Sequence, residues 1–275
     1  MGFSTRISTI CIFFTLCSNT IVFSNRASAG VFFSFTQCIR NALVRTEENS
    51  ELLLTENTQA RNNYLNAISN LHANTSGPDS LTTIRRAYEA QTQYCETYNQ
   101  LTKRSHRGYE VVPVLEKYIG EDVAKSIESR QLAVRDPQLA QQPIKYLTTQ
   151  EAENFQAHES EGKLVLKKGH RLKNLFAVEY IMDTKGEIYI LDRRSVGFND
   201  APGSRGLRHS SITGGQPVAS AGTISTDSDG NIVRISRDSG HYHPGKTQLK
   251  QFLSRLKSIR VNLSKAKIDW SETYR

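Results

Sequence analysis

The chain of 275 residues is 37% hydrophobic and 23% charged, a balance that suits a folded, soluble protein of one large domain or two small ones. Beyond the N-terminus no stretch approaches the ~20 apolar residues of a helical membrane span, so no later membrane-spanning helix is expected. A formal net charge of +8 favours acidic partners such as phosphate, anionic lipid or an acidic protein, although the basic residues are scattered, as on a merely solvated surface.

Residues 1–29 read as a signal peptide. Arg6 precedes apolar runs at residues 7–16 and 21–23, and Ala27-Ser28-Ala29 presents a small-x-small cleavage pattern before Gly30. Ser8, Thr9, Thr15, Ser18, Asn19 and Thr20 interrupt the run, which argues against a membrane anchor. The expected product is exported, to the periplasm or the extracellular space, with an effector-type interaction protein as one alternative role. Cys38 and Cys95 then remain as an even pair suited to a disulfide in an oxidising compartment, with two buried free thiols as the alternative.

Residues 30–108 read as a helical pair. Ile39, Leu43 and Val44 follow helical spacing, as do Leu54, Tyr64, Leu65, Ile68 and Leu71 less regularly, and residues 74–79 break the run. The second stripe is Leu81, Ile84, Ala87, Tyr88, Gln91, Cys95 and Tyr98. A Cys38–Cys95 bridge in such a hairpin requires a break in the first helix, expected near residues 46–50. These helices either dock a protein partner or pack on the following domain. Residues 109–142 are a transition with two short helices, one ending near Ile119 and one over residues 121–132.

Residues 143–275 form the expected α+β domain, able to fold without the helical pair. Thr148 and Glu151 make a capping box for a short helix through Phe155. Strands are expected over residues 163–166, 175–182, 187–191, 218–226 and 231–236, with hairpin turns at 183–186 and at Asp229-Gly230. A final helix carries Leu249, Phe252, Leu253, Leu256 and Ile259 on one face. The fold class is α+β: an N-terminal helical pair, then an antiparallel sheet covered by a C-terminal helix.

Chemistry concentrates in residues 207–245, which hold three of the seven histidines. His209, Ser210 and Ser211 precede Gly214-Gly215, and Gly240, His241, Tyr242, His243 and Pro244 follow a hairpin that returns the chain to the same end of the sheet. His209 and His241 are candidate general acid and base, and Ser211 a nucleophile or orienting hydroxyl. Ser210, Gly214, Gly215, Gly240, Tyr242, His243 and Pro244 are candidate ligand contacts, with the amides after Pro244 at a helix start that favours an anion. The same serines and glycines also suit a plain turn. Asp238 and Asp200 are the acids nearest the histidines in sequence, so a Ser-His-Asp hydrolase is poorly supported. His241 and His243 lack an evident third ligand, so no metal is assigned.

The blocks Ile144-Lys145-Tyr146-Leu147 with Glu151, His209-Ser210-Ser211 with Gly214-Gly215, and Ser239-Gly240-His241-Tyr242-His243-Pro244, with Phe252-Leu253 and the tail at residues 261–267, resemble the conserved domain of the plant IQ-motif-containing, calmodulin-binding proteins of the IQM type. The resemblance covers residues 143–267. It implies the domain but brings no catalytic residues and no cofactor, and calmodulin binding is not carried over because no Ile-Gln with properly spaced Arg and Gly is found. The expected function is a His/Ser/Tyr pocket that binds an anionic or nucleotide-like ligand, with transferase chemistry open. The alternatives are a non-enzymatic protein- or ligand-binding module and a metal-independent, histidine-based nuclease.

Overall fold

The computed structural model describes residues 29–73, 80–106, 108–136, 146–167, 169–192 and 206–271. The signal-peptide reading, the turn at 74–79, Asp200 and Ile144-Lys145 lie outside these residues. The chain forms two compact units, Met1–Thr46 and Glu47–Arg275. The described part of the first is the beginning of α1 (Ala29–Ala73), a helix of 45 residues without the break expected near residues 46–50. No described helix is long and apolar enough to cross a membrane.

Within the second unit, α1 buries Leu53, Asn57, Ala60, Tyr64 and Leu71, a spacing of three, four or seven residues that keeps them on one face. On α2 (Ser80–Ser105) the buried row is Ala87, Gln91 and Cys95. Cys95 is a free, buried thiol on the apolar face of α2, so the expected bridge to Cys38 is not made. One helix, α3 (Glu116–Arg135), replaces the two short ones expected in the transition. Gly120 does not end a helix there; it lets α3 approach α2, since a β-carbon on it would lie 3.0 Å from Ile84 Cδ1.

The capping box at Thr148 and Glu151 opens α4 (Thr149–Ala152), and a single 3₁₀ turn leads into the sheet. The seven strands are β1 (Gln156–Ser160), β2 (Lys163–Leu166), β3 (Val178–Met182), β4 (Ile188–Ile190), β5 (Ser220–Thr226), β6 (Ile232–Ser236) and β7 (Lys267–Asp269), in the order β2-β1-β4-β3-β5-β6-β7. Two of them were not expected from sequence. β1 follows the 3₁₀ turn directly, and β7 joins β6 in parallel, the one parallel pair among otherwise antiparallel neighbours. That parallel pairing needs a long crossover, which α6 (Lys246–Ser258) supplies.

Two apolar clusters lie on opposite faces of the sheet, as the alternation along β3 requires. Tyr180 and Met182 join the cluster under α6, where Phe252 stacks on the Tyr180 ring at 3.9 Å between centroids. Ile181 joins the other cluster, with Leu71, Ala87, Val114, Ile119, Ile212, Val218 and Tyr242. Burying each large side chain contributes ~1.5–3 kcal/mol, so α1, α2 and the start of α3 are part of the sheet's core rather than an appended arm. Gln91 fixes this polar as well as apolar: its amide nitrogen donates to the Gly215 carbonyl at 2.8 Å and its oxygen accepts from the Val114 amide at 2.8 Å. A boundary at residue 143 therefore cuts through one core, contrary to independent folding of residues 143–275.

Candidate functional site

The sheet face that carries Ile181 also carries Glu179, and Thr223 on β5 stands directly opposite it. Next to this pair the chain forms α5 (His209–Thr213), a short helix that Gly214 terminates in the left-handed conformation at φ 61°. Ser211 Oγ accepts from the Arg208 amide at 2.9 Å, which caps the start of α5 and turns the hydroxyl inward. Ser211 is fully buried, is not among the residues that line the cleft between α3 and the sheet, and is held in place as a cap rather than presented to it. Ser210 is also fully buried, donating to Asp122 Oδ2 at 2.9 Å.

A cleft of about 360 Å³ opens between α3 and the sheet. Tyr118, Glu121, Asp122 and Lys125 of α3 form one wall; Ala177, Glu179 and Thr223 the sheet side; and Arg208, His209, Asp238, Gly240 and His241 the end. His209 and His241, 32 positions apart, thus come together as expected, but against acids that are remote in sequence. His241 Nε2 lies 3.4 Å from Asp122 Oδ1, and its ring stacks on Tyr118 with centroids 4.3 Å apart. Gly240 permits this approach, because a β-carbon there would stand 2.8 Å from the Tyr118 hydroxyl oxygen.

His209 Nε2 is 2.8 Å from the Gly222 carbonyl, and its Nδ1 is 3.8 Å from Glu179 Oε1. Burial pushes its pKa below the ordinary 6.5, outweighing the opposite pull of Glu179. The Glu121 carboxyl is held below its usual range by the hydrogen bond from Lys125 beside it. Asp122 is the hub: besides His241 and Ser210 it accepts from the Tyr146 hydroxyl at 3.2 Å.

The remaining expected contacts are placed elsewhere. The Tyr242 hydroxyl donates to the Gln216 carbonyl at 2.8 Å and meets Thr213 Oγ1 at 2.8 Å; burial raises its pKa strongly, so it is an uncharged structural group. Gly215 offers its carbonyl to Gln91 and Tyr64, while the Pro244 carbonyl accepts from Arg237 Nη1 at 2.8 Å. His243, at φ 41°, serves the turn through its amide bond to Ser239 O. Gly214, Gly215, Tyr242, His243 and Pro244 are all absent from the cleft lining. The start of α6 lies apart from this cleft: Gln248 Oε1 accepts from the Gly245 amide at 3.0 Å, and no α6 residue is in the cleft lining. Among the described residues no group of three or more His, Cys, Asp or Glu is placed to hold a metal.

Residues 151–249 match the family model of the IQ motif-containing protein middle domain. The chain carries an IQM-type domain. An IQ domain-containing protein of Arabidopsis thaliana, IQM3, is 32% identical over 136 residues, 47% of this chain and 28% of the relative, so the chain spans less than a third of that protein. No solved structure matches. The IQM-type segment supplies Glu179, Arg208, His209, Thr223, Asp238, Gly240 and His241 to the cleft, whereas Tyr118, Glu121, Asp122 and Lys125 come from α3, outside the matched residues.

Sequence reasoning missed Asp122 and Glu179. Each left a signal: residues 118, 122 and 125 share one helical face, and Glu179 is a lone charge within the apolar run of β3.

Proposed function

We propose that the cleft of the IQM-type domain binds a small, polar, nucleotide-like ligand, with Arg208 taking its anionic group and the His241–Asp122 pair available for proton transfer. The observation that carries this reading is the convergence of His209 and His241 in one cleft, each against a carboxylate from a different element. The anion-binding role assigned from sequence to the start of α6 passes to Arg208, for which no ion pair is found among the described residues. Transferase or phosphodiester chemistry would use His241 as the acid or base, since it reaches the cleft and Asp122 orients its ring. Calmodulin is not part of this reading, because the chain shows no IQ motif.

A thermal-shift screen of the whole protein against nucleotides, nucleotide sugars and acidic metabolites tests it. A ligand that stabilises the wild type should lose its effect on Arg208→Ala. A ligand that is also consumed, and survives in His241→Gln, assigns an enzyme; one that persists in both assigns a binding module. The absence of any stabilising compound across these classes would overturn the reading.

A further inference from the structure

One corner of the cleft is built from acceptors that lack a donor. Glu179 Oε2 is buried and has no hydrogen-bond partner, and Oε1 faces His209 Nδ1 at 3.8 Å, beyond hydrogen-bond range. The state of His209 follows from its other nitrogen. A carbonyl only accepts, so the 2.8 Å contact to Gly222 O places the ring proton on Nε2. Burial favours the neutral ring, which leaves a lone pair on Nδ1. Glu179 Oε1, Glu179 Oε2 and His209 Nδ1 thus meet with no proton to share, and Asp238 adds a second carboxylate to the lining. No side-chain hydrogen bond or ion pair of Asp238 is found among the described residues. An anion would be repelled from this corner, and an apolar group would leave the oxygens unpaired.

We propose that this corner binds a protonated amine or a guanidinium group, which is positively charged and supplies donors without needing acceptors. The proposal rests on the cleft being a ligand site and deepens it: the ligand carries a cationic nitrogen group held by Glu179, His209 and Asp238, in addition to the anionic group held by Arg208. The same chemistry is offered by a free small molecule and by a Lys or Arg side chain of a peptide. Hydrogen bonds to charged groups are the strong class, and each lost one weakens binding by about tenfold or more.

The test uses the full chain with four probes: agmatine, cadaverine, Nα-acetyl-lysine methylamide and, as a neutral polyhydroxyl control, D-ribose. Agmatine or cadaverine, or the lysine amide if the source is a peptide, should raise the melting temperature. Affinity should fall at least tenfold in Glu179→Gln, and less in Asp238→Asn. In ¹⁵N-histidine NMR of the wild type, Nδ1 of His209 should move towards the hydrogen-bonded position on addition of the amine while Nε2 stays protonated. Because Glu179 is half-enclosed, its variant could fail to fold; Asp238→Asn and the wild-type NMR shift then decide. The proposal is overturned if nucleotides stabilise the protein but no amine does, which leaves the broader reading standing, or if ribose binds with the same sensitivity to Glu179→Gln. If neither nucleotides nor amines bind, both readings fall together.

Discussion

Asp122→Ala removes the hub of the site. The carboxylate has a side chain only 2% exposed and accepts from Ser210, Tyr146 and His241, which tie α3 to α5, to the segment before α4 and to the turn after β6. Losing it strips an acceptor from the fully buried Ser210 hydroxyl, and each such loss costs about 1–3 kcal/mol. Three donors lose the carboxylate together, and water entering from the cleft keeps the total near the low end of that sum, about 3–5 kcal/mol. For a domain of this size 1 kcal/mol moves the midpoint by roughly 2–4 °C, so the loss should be about 6–20 °C in calorimetry. Asp122→Asn keeps the shape and one acceptor and should lose only a few degrees, while freeing His241 from the carboxylate that orients it. A melt of Asp122→Ala within about 2 °C of the wild type, measured with reversible unfolding, would refute the claim that this network holds α3 on the sheet.

His209, with its pKa lowered by burial, binds fewer protons folded than unfolded, so its contribution is complete above 6.5 and declines as pH falls below it. The unfolding free energy from urea titrations should drop from pH 7 to 5 by up to about 1.4 kcal/mol per pH unit from this group, and His209→Gln should flatten the dependence; a wild type that gains stability on acidification would contradict this. Gly222→Ala places a β-carbon 2.0 Å from Ser236 O and 2.8 Å from Tyr180 Cε1, which forces β5 from β6, so the variant should fail to give a cooperative melt. Gly214→Ala meets open space and only the left-handed strain at φ 61°, about 1–2 kcal/mol, so equal damage in the two would refute the steric account. Residues 47–275 should unfold cooperatively, whereas 143–275 should aggregate because Leu71, Ala87, Val114 and Ile119 are missing from the second cluster; a sharp melt of the shorter piece would show the opposite.

The sheet's central strands and hairpins were legible because their signals are local: alternation in β3 and β5, Asp229-Gly230 with Gly230 at φ 85°, and the reciprocal bonds of Thr148 and Glu151. β7 was not, since three residues with no turn signal find their place only when α6 has carried the chain back to β6. The convergence of the two histidines and Gly240 on one cleft was legible. Ser211 and Tyr242 were misread because a hydroxyl beside a histidine looks alike in sequence whether it faces a cleft or, as here, Arg208 N and Gln216 O. The acids were hidden by distance: Asp122 lies 119 positions from His241 and reaches it only through the packing of α3.

That packing changes what the family match means. The matched segment alone would present His209 and His241 at the edge of a sheet, with Glu179 for one and no carboxylate for the other. The wall that encloses the cleft, and the carboxylate that orients His241, are supplied by α3. α3 is in turn held by Gly120 against Ile84 of α2, by Val114 and Ile119 in the second cluster, and by the Leu115 amide on the His241 carbonyl at 2.9 Å. Whether a related chain has the same chemistry therefore depends on its having a helix with an acid and an aromatic residue four positions apart, as Tyr118 and Asp122 are, ahead of the matched segment. A relative that conserves only the two histidine blocks has half of this site.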